Sequence, residues 1–263
     1  MQQPVRTFPP VVPQKSGIQF MNIKKSFGPK TVLNGVSFDV REGEVFFIIG
    51  ASGVGKSVLI KHLVGLLYPD SGEIWLDGEE ISKFDEEKMG PVRKKCAMVF
   101  QHSTLFDSMT CVENLALPLR KHKNMNQKEA LSEGKRLLHQ VHMQDFADKY
   151  PSELGDGMRK RVAIARALTL DPRYVLFDEP TTSLDPVSAR RVDKLIYELS
   201  DTLGVTSIVV SHDLVSIFSI ANRIVMLYKG HVRMLGSQAD FQACEDGVVH
   251  QFIRGHAEGP MEM

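Results

Sequence analysis

The stretch Gly50-Ala51-Ser52-Gly53-Val54-Gly55-Lys56-Ser57 limits what this chain can fold into more than any other. It reads G-x-x-x-x-G-K-S, a loop pattern that wraps phosphates. The apolar, β-prone residues Val45-Phe46-Phe47-Ile48-Ile49 run into it, as a buried parallel strand does. Residues 58–67, beginning at Val58, continue as a helix. The loop therefore joins a strand to a helix N-terminus. The chemistry requires that arrangement because a triphosphate is strongly anionic. Glycines let the backbone curl until successive N–H groups face the phosphates. The helix dipole adds partial positive charge at the same place. Lys56 is long enough to reach the β- and γ-phosphates, and Ser57 offers a hydroxyl to Mg²⁺. A plain glycine turn between a strand and a helix needs neither side chain.

At 263 residues the chain has room for one large α/β domain or two small ones. Lys and Arg number 32 and Asp and Glu also number 32, so no global field points to nucleic acid or an anionic membrane. Cys96, Cys111 and Cys244 are far apart and form no ligand pair, which fits buried thiols in a reducing compartment. No apolar run approaches the ~18 residues of a membrane span. The N-terminal residues lack a signal-peptide core, and residues 1–16 read as a proline-rich flexible segment. If the protein serves a membrane process, another chain does the crossing.

Residues 18–40 alternate in polarity, with turn signals at Phe27-Gly28-Pro29 and Asn34-Gly35, and read as an antiparallel β section. Phe27 stands upstream of the phosphate loop, where an aromatic ring can stack on a base or simply pack. A short strand follows at residues 73–78 and a solvated helix at 83–95. A further strand, Cys96-Ala97-Met98-Val99-Phe100, ends at Gln101. Residues 102–158 are mostly helical by pattern, and 129–142 are amphipathic, with Leu131, Leu137, Leu138 and Val141 inward. Tyr174-Val175-Leu176-Phe177 is a buried strand ending in Asp178-Glu179-Pro180. A helix over 188–203 leads to the strand Thr206-Ser207-Ile208-Val209-Val210, which ends in Ser211-His212-Asp213. Ligands of open α/β sheets sit at the carboxyl ends of the strands. Gln101, Asp178, Glu179 and His212 are therefore expected to converge on the phosphate loop. Asp178 would hold Mg²⁺, and Glu179 would orient the attacking water as general base. Gln101 would touch Mg²⁺ or that water, and His212 would hydrogen-bond the γ-phosphate.

Taken in order, these features resemble the ATP-binding-cassette (ABC) ATPases over residues 18–236. The resemblance implies a P-loop NTPase core of α/β class with a mainly parallel sheet. It adds an N-terminal antiparallel β section and an α-helical subdomain inserted at about 85–165, all in one domain over 17–263 with a C-terminal tail from about 237. It assigns Phe27 to the adenine, residues Gly50 to Ser57 and Val58 to the phosphates, and Ser57, Gln101 and Asp178 to Mg²⁺. Leu154, Gly155, Asp156 and Gly157 become the signature loop. Ser183-Leu184-Asp185 becomes the D-loop, which places Asp185 at the nucleotide interface, and His212 the switch histidine. It also implies a head-to-tail dimer holding two ATP, each between one P-loop and the other copy's signature loop. Transmembrane permease subunits would be the partners, and nucleic acid would not.

A narrower resemblance, to the Mla/Mce-type phospholipid transporters, rests on Gln101-His102-Ser103-Thr104-Leu105-Phe106-Asp107-Ser108-Met109-Thr110 and on the tail Gln251-Phe252-Ile253-Arg254-Gly255 with Gly259-Pro260. It implies a lipid-binding Mce-type protein in the same complex, and a place on the cytoplasmic face of the inner membrane, peripheral through the permease. Other readings are transport of a different substrate, a cassette protein acting on ribosomes or DNA, and a nucleotide-gated subunit with weak hydrolysis. The last arises from a departure in the signature. Leu154-Gly155-Asp156-Gly157-Met158 stands where the family has Leu-Ser-Gly-Gly-Gln. Gly155 has no hydroxyl for the partner's γ-phosphate, and Asp156 either brings a repelling charge to that phosphate or caps a helix starting near Met158. A groove for a permease helix is expected among Leu105, Phe106, Met109, Val112 and Leu115.

Overall fold

The structure, a computed structural model, describes residues 17–261. The expected flexible segment at 1–16 lies outside them. The chain opens with two antiparallel strands, β1 (Ile18–Phe27) and β2 (Lys30–Val40), joined by a turn at Gly28-Pro29. The second expected turn, Asn34-Gly35, does not form. It lies inside β2, where the register steps from Ile23 opposite Val36 to Lys24 opposite Asn34. Gly35, at φ 80°, is the extra residue of a bulge. Leu33, Val36, Phe38 and Val40 keep facing the core on either side of it, so burial continues the strand where local turn chemistry would end it.

β3 (Val45–Ile49) feeds the phosphate loop, and α1 (Lys56–Leu63) follows. The helix is shorter than expected because Gly65, at φ 67°, turns the chain away. Next come β4 (Ser71–Leu76), β5 (Glu79–Glu80), α2 (Glu86–Lys95) and β6 (Cys96–Val99). The helices α3 (Cys111–Lys123), α4 (Gln127–Gln140) and α5 (Asp156–Ala167) form the helical section. Capping boxes at Thr110 with Glu113 and at Asn126 with Glu129 fix where α3 and α4 begin. α4 buries Ala130, Gly134, Leu137 and Leu138, while the expected inward Leu131 is only partly covered. Then follow β7 (Tyr174–Asp178), α6 (Pro186–Leu203), β8 (Thr206–Val210), α7 (Leu214–Ile220), β9 (Arg223–Tyr228), β10 (His231–Gly236), α8 (Gln238–Gln242) and α9 (Gly247–Arg254).

The strands make two sheets, β2-β1-β4-β5 and β10-β9-β3-β8-β7-β6. The first is antiparallel. The second is parallel except for its edge strand β10, and β6, just ahead of the helical section, forms its other edge. Every residue of β3, β7 and β8 is buried, because elements cover both faces. Val45, Phe47 and Ile49 join a core shared with the helices. Phe46 and Ile48 join a second core beneath the antiparallel sheet and α1, where Phe38 and Phe46 stack at 5.5 Å between ring centroids. The parallel arrangement brings the carboxyl ends of β3, β6, β7 and β8 to one rim, and the site is built there. Among the described residues no helix is long and apolar enough to cross a membrane.

Candidate functional site

A cleft of about 590 Å³ opens at that rim, lined by Gly50, Ala51, Ser52, Gly53, Gly55, Lys56, Ser57 and Val58 of the loop and α1. Val54 instead packs against the core below. Two glycines are sterically required. Gly50 has φ 140°, and a Cβ there would sit 2.4 Å from the Leu227 carbonyl oxygen; Gly55 has φ 102°, and a Cβ there would sit 2.5 Å from Leu33. Lys56 is buried and curls over the loop, donating to the carbonyls of Gly50 at 2.9 Å and Ala51 at 3.0 Å. Burial pushes its ammonium below the usual lysine range, while Glu179 and Asp178 oppose the shift. The Ser57 hydroxyl donates to Asp178 Oδ1 at 2.6 Å, so the end of β7 and the start of α1 bring a hydroxyl and a carboxylate together.

Gln101, Glu179 and His212 line the same cleft, as the strand-end argument requires. Glu179 Oε2 lies 2.9 Å from His212 Nδ1 and accepts the Thr182 hydroxyl at 3.0 Å. Glu179 has φ 49°, a costly conformation for a side-chain-bearing residue, fixed here by its N–H donating to the Val210 carbonyl at 2.9 Å. This strained corner turns the carboxylate off the end of β7 into the cleft.

Thr182, Val32 and Phe252 also line the cleft, and sequence reasoning missed all three in this role. Thr182 had a signal, a hydroxyl three residues beyond the acid on a turn. Phe252 had none, because α9 reaches the site only through the fold. Phe27 stands at the end of β1, 46% exposed, with Lys25 Nζ 5.5 Å from its ring centre, and is not among the lining residues.

The signature residues gather elsewhere. Leu154 is buried, while residues 155–158 form a second cleft of about 420 Å³ with Arg161, Ser183, Leu184, Asp185, Ser188 and Arg191. Asp185 is the N-cap of α6, accepting from the N–H groups of Val187 and Ser188 at 3.0 Å each. The Ser188 hydrogen bonds hold its carboxyl below the usual range. Gly157 lets α5 approach α6, since a Cβ there would lie 2.8 Å from Ser188 Cβ. Of the two readings of Asp156, the cap does not hold. Gly155 is the N-cap of α5 and Asp156 the first helical residue, because glycine takes the extended cap conformation and the helix starts earlier than Met158. The Asp156 carboxylate reaches one turn along the helix to pair with Arg159.

The family model for ABC transporters matches residues 33–182, which contain the loop, Gln101, the signature and Asp178-Glu179. The chain belongs to the ABC transporter ATPases. It is similar to the intermembrane phospholipid transport system ATP-binding protein MlaF of Escherichia coli, at 36% identity over 93% of this chain and 91% of that one. It is 38% identical to the methionine import ATP-binding protein MetN of Brucella abortus over 88% of its length, but spans only 60% of MetN. It is 34% identical to the probable ribonucleotide transport ATP-binding protein mkl of Mycobacterium leprae, covering 96% of this chain and 73% of that one. Among solved structures it resembles the dimeric cassette MJ0796 bound to ADP and Pi, with TM-score 0.76, 30% identity, and coverage of 84% and 98% of the two chains. The cassette is thus an ATP-binding, ATP-hydrolysing transporter subunit, of a family whose members form dimers and serve transmembrane permeases.

Proposed function

We propose that this cassette energises phospholipid movement, acting as a head-to-tail pair on permease subunits at the cytoplasmic face of the inner membrane, with a lipid-binding Mce-type protein in the complex. The observation that carries the substrate class is the likeness to MlaF along nearly the whole of both chains.

Each ATP lies in the 590 Å³ cleft of one copy and meets residues 154–157 and Asp185 of the other. The separation of the two clefts within one chain supports this, because a signature loop outside its own phosphate cleft is available to a second copy. Phe27 packs on the adenine from the rim. Lys56 exchanges its carbonyl partners for the β- and γ-phosphates. Ser57 and Asp178 present a hydroxyl and a carboxylate 2.6 Å apart, a hard-oxygen pair that would suit Mg²⁺ alongside phosphate oxygens, and Gln101, which lines the same cleft, would be a third ligand. Bound there, Mg²⁺ neutralises phosphate charge. Glu179 takes the proton of the water that attacks the γ-phosphorus as the bond to the bridging oxygen breaks. Thr182, through its hydroxyl, and His212, through Nδ1, hold that carboxylate in place, and His212 hydrogen-bonds the γ-phosphate through its other ring nitrogen when the ring carries both protons. Closure of the pair on two ATP and reopening after hydrolysis drive the permease.

The permease docks in a groove of about 420 Å³ between β6 and the helical section. Phe106, half exposed, supplies an apolar wall with Leu117 and Pro118, while Arg93, Lys94, Lys121 and Arg166 add positive charge. No acidic residue lines it, which suits a short helix carrying carboxylates. Of the other expected groove residues, Val112 and Leu115 are buried core, Leu105 packs against that core, and Met109 does not line the groove.

The test is purification of the intact complex from membranes through this subunit, with lipid analysis and ATPase assays. Phospholipid should co-purify and stimulate turnover. Stimulation by methionine or a ribonucleotide instead would overturn the substrate class. Glu179→Gln should keep ATP binding and cut hydrolysis by about 10²-fold or more, as loss of a general base does. Turnover within twofold of wild type in that variant would overturn the mechanism.

A further inference from the structure

Lys160 is the least expected charge in the molecule. It lies on α5, only 2% exposed, yet no carboxylate pairs with it directly. Its Nζ donates to the carbonyl of Phe100 at 2.8 Å and to that of Gln101 at 2.6 Å. Burial pushes the ammonium down to about 8, against the pull of Asp156 and Asp178. A buried cation is expensive, and an apolar side chain of similar length would fill the space without that cost. What the ammonium supplies is a grip on two backbone oxygens just past the end of β6, where the sheet ladder no longer holds them.

The grip lies beside two functional places at once. Gln101 lines the nucleotide cleft, and its own carbonyl is one of the two oxygens held. Lys160 follows Asp156 by four residues, one helical turn of about 6 Å, so it stands on the same face as the first turn at the signature loop. Further along α5, Arg166 donates to the Thr104 hydroxyl at 3.2 Å and lies over the Phe106 ring at 5.7 Å. One helix therefore holds the segment after β6 at both ends, at the nucleotide cleft through Lys160 and at the permease groove through Arg166.

We infer that Lys160 is a positioning residue for hydrolysis: by gripping the carbonyls of Phe100 and Gln101 it sets the Gln101 side chain in the nucleotide cleft and makes the Gln101 segment move as one body with the signature helix. The inference rests on the reading of Gln101 as a group that touches Mg²⁺ or the attacking water in the nucleotide cleft. It acts through Gln101, not through contact with ATP, and coupling of this kind is measured by a cycle of variants.

The experiment compares ATP turnover and ATP binding in the assembled transporter for wild type, Lys160→Met, Lys160→Gln, Gln101→Ala and the double variant Lys160→Met/Gln101→Ala. Lys160→Met should lower kcat about tenfold with KM for ATP within twofold of wild type, as for a group acting on positioning rather than binding. Lys160→Gln, which keeps an amide donor at similar length, should recover part of the loss, and serves if the methionine variant does not fold. The double variant should turn over no more slowly than Gln101→Ala alone. If Gln101→Ala is impaired but the two losses multiply, Lys160 acts elsewhere and the inference is overturned while the role of Gln101 stands. If Gln101→Ala turns over like wild type, the role of Gln101 falls and the inference falls with it. Wild-type kcat in both Lys160→Met and Lys160→Gln also overturns it.

Discussion

Removing Arg159 should slow hydrolysis by unmasking Asp156, and Coulomb's law sets the size of the effect. Asp156 opens α5 at the loop we propose meets a second copy's ATP, and its carboxylate is paired with Arg159 on the same turn. At an effective dielectric of about 20, a carboxylate about 6 Å from one phosphate charge is opposed by about 3 kcal/mol. The guanidinium cancels most of that. The Asp156 side chain is 65% exposed, so solvent screens the rest. Arg159→Ala should therefore reduce turnover by about tenfold, or about 1.4 kcal/mol of barrier. Arg159 also donates to the Leu154 carbonyl at 2.8 Å, so its loss alone does not separate charge from loop support. Asp156→Asn in the Arg159→Ala background does, since it removes the charge without rebuilding the support. Phosphate release at saturating ATP should return to within about twofold of wild type. Asp156→Asn alone should change turnover little, and should cost at most about 1 kcal/mol of stability through the lost surface pair and helix-dipole contact. Wild-type turnover in Arg159→Ala, or a loss that Asp156→Asn does not relieve, would refute the masking argument.

Thr182→Val should lower kcat several-fold with KM unchanged, because Glu179 loses a hydroxyl donor at 3.0 Å; an unaltered kcat in single-turnover assays would exclude that support. Lys94→Glu with Lys121→Glu, both exposed on the groove, should abolish co-purification of the permease while leaving the melting temperature and nucleotide binding intact; retained co-purification would place the docking surface elsewhere. His62 is buried, and burial, aided by Lys25, pushes its imidazole down to about 4. Its folded value lies below that of the unfolded chain, so the stability it preserves is present above about pH 6.5 and drains away as pH falls toward 4. Between pH 7 and 5 the loss should be about 2 kcal/mol by urea unfolding, and His62→Leu should remove most of that dependence.

The chemistry of the site was legible in short stretches because it is local. A strand, a glycine-curled loop and a helix start follow one another within residues 45–63, so phosphate binding needs no distant residue to be recognised. The convergence of Gln101, Glu179 and His212 was legible through one general rule, since parallel strands put their carboxyl ends on one rim. Tertiary structure decided what depends on contacts between distant segments. It turned Asn34-Gly35 from a turn into a bulge, because continuous burial on both sides outweighed local turn preference. It seated Asp156 as the first helical residue, paired with Arg159, because Gly155 took the cap. It brought Phe252 from the end of the chain to the nucleotide cleft, and it closed Lys160 over the carbonyls of Phe100 and Gln101. Sequence patterns report periodicity and local conformational preference. Which buried charge meets which carbonyl across some sixty residues is settled only when the helices pack against the sheet.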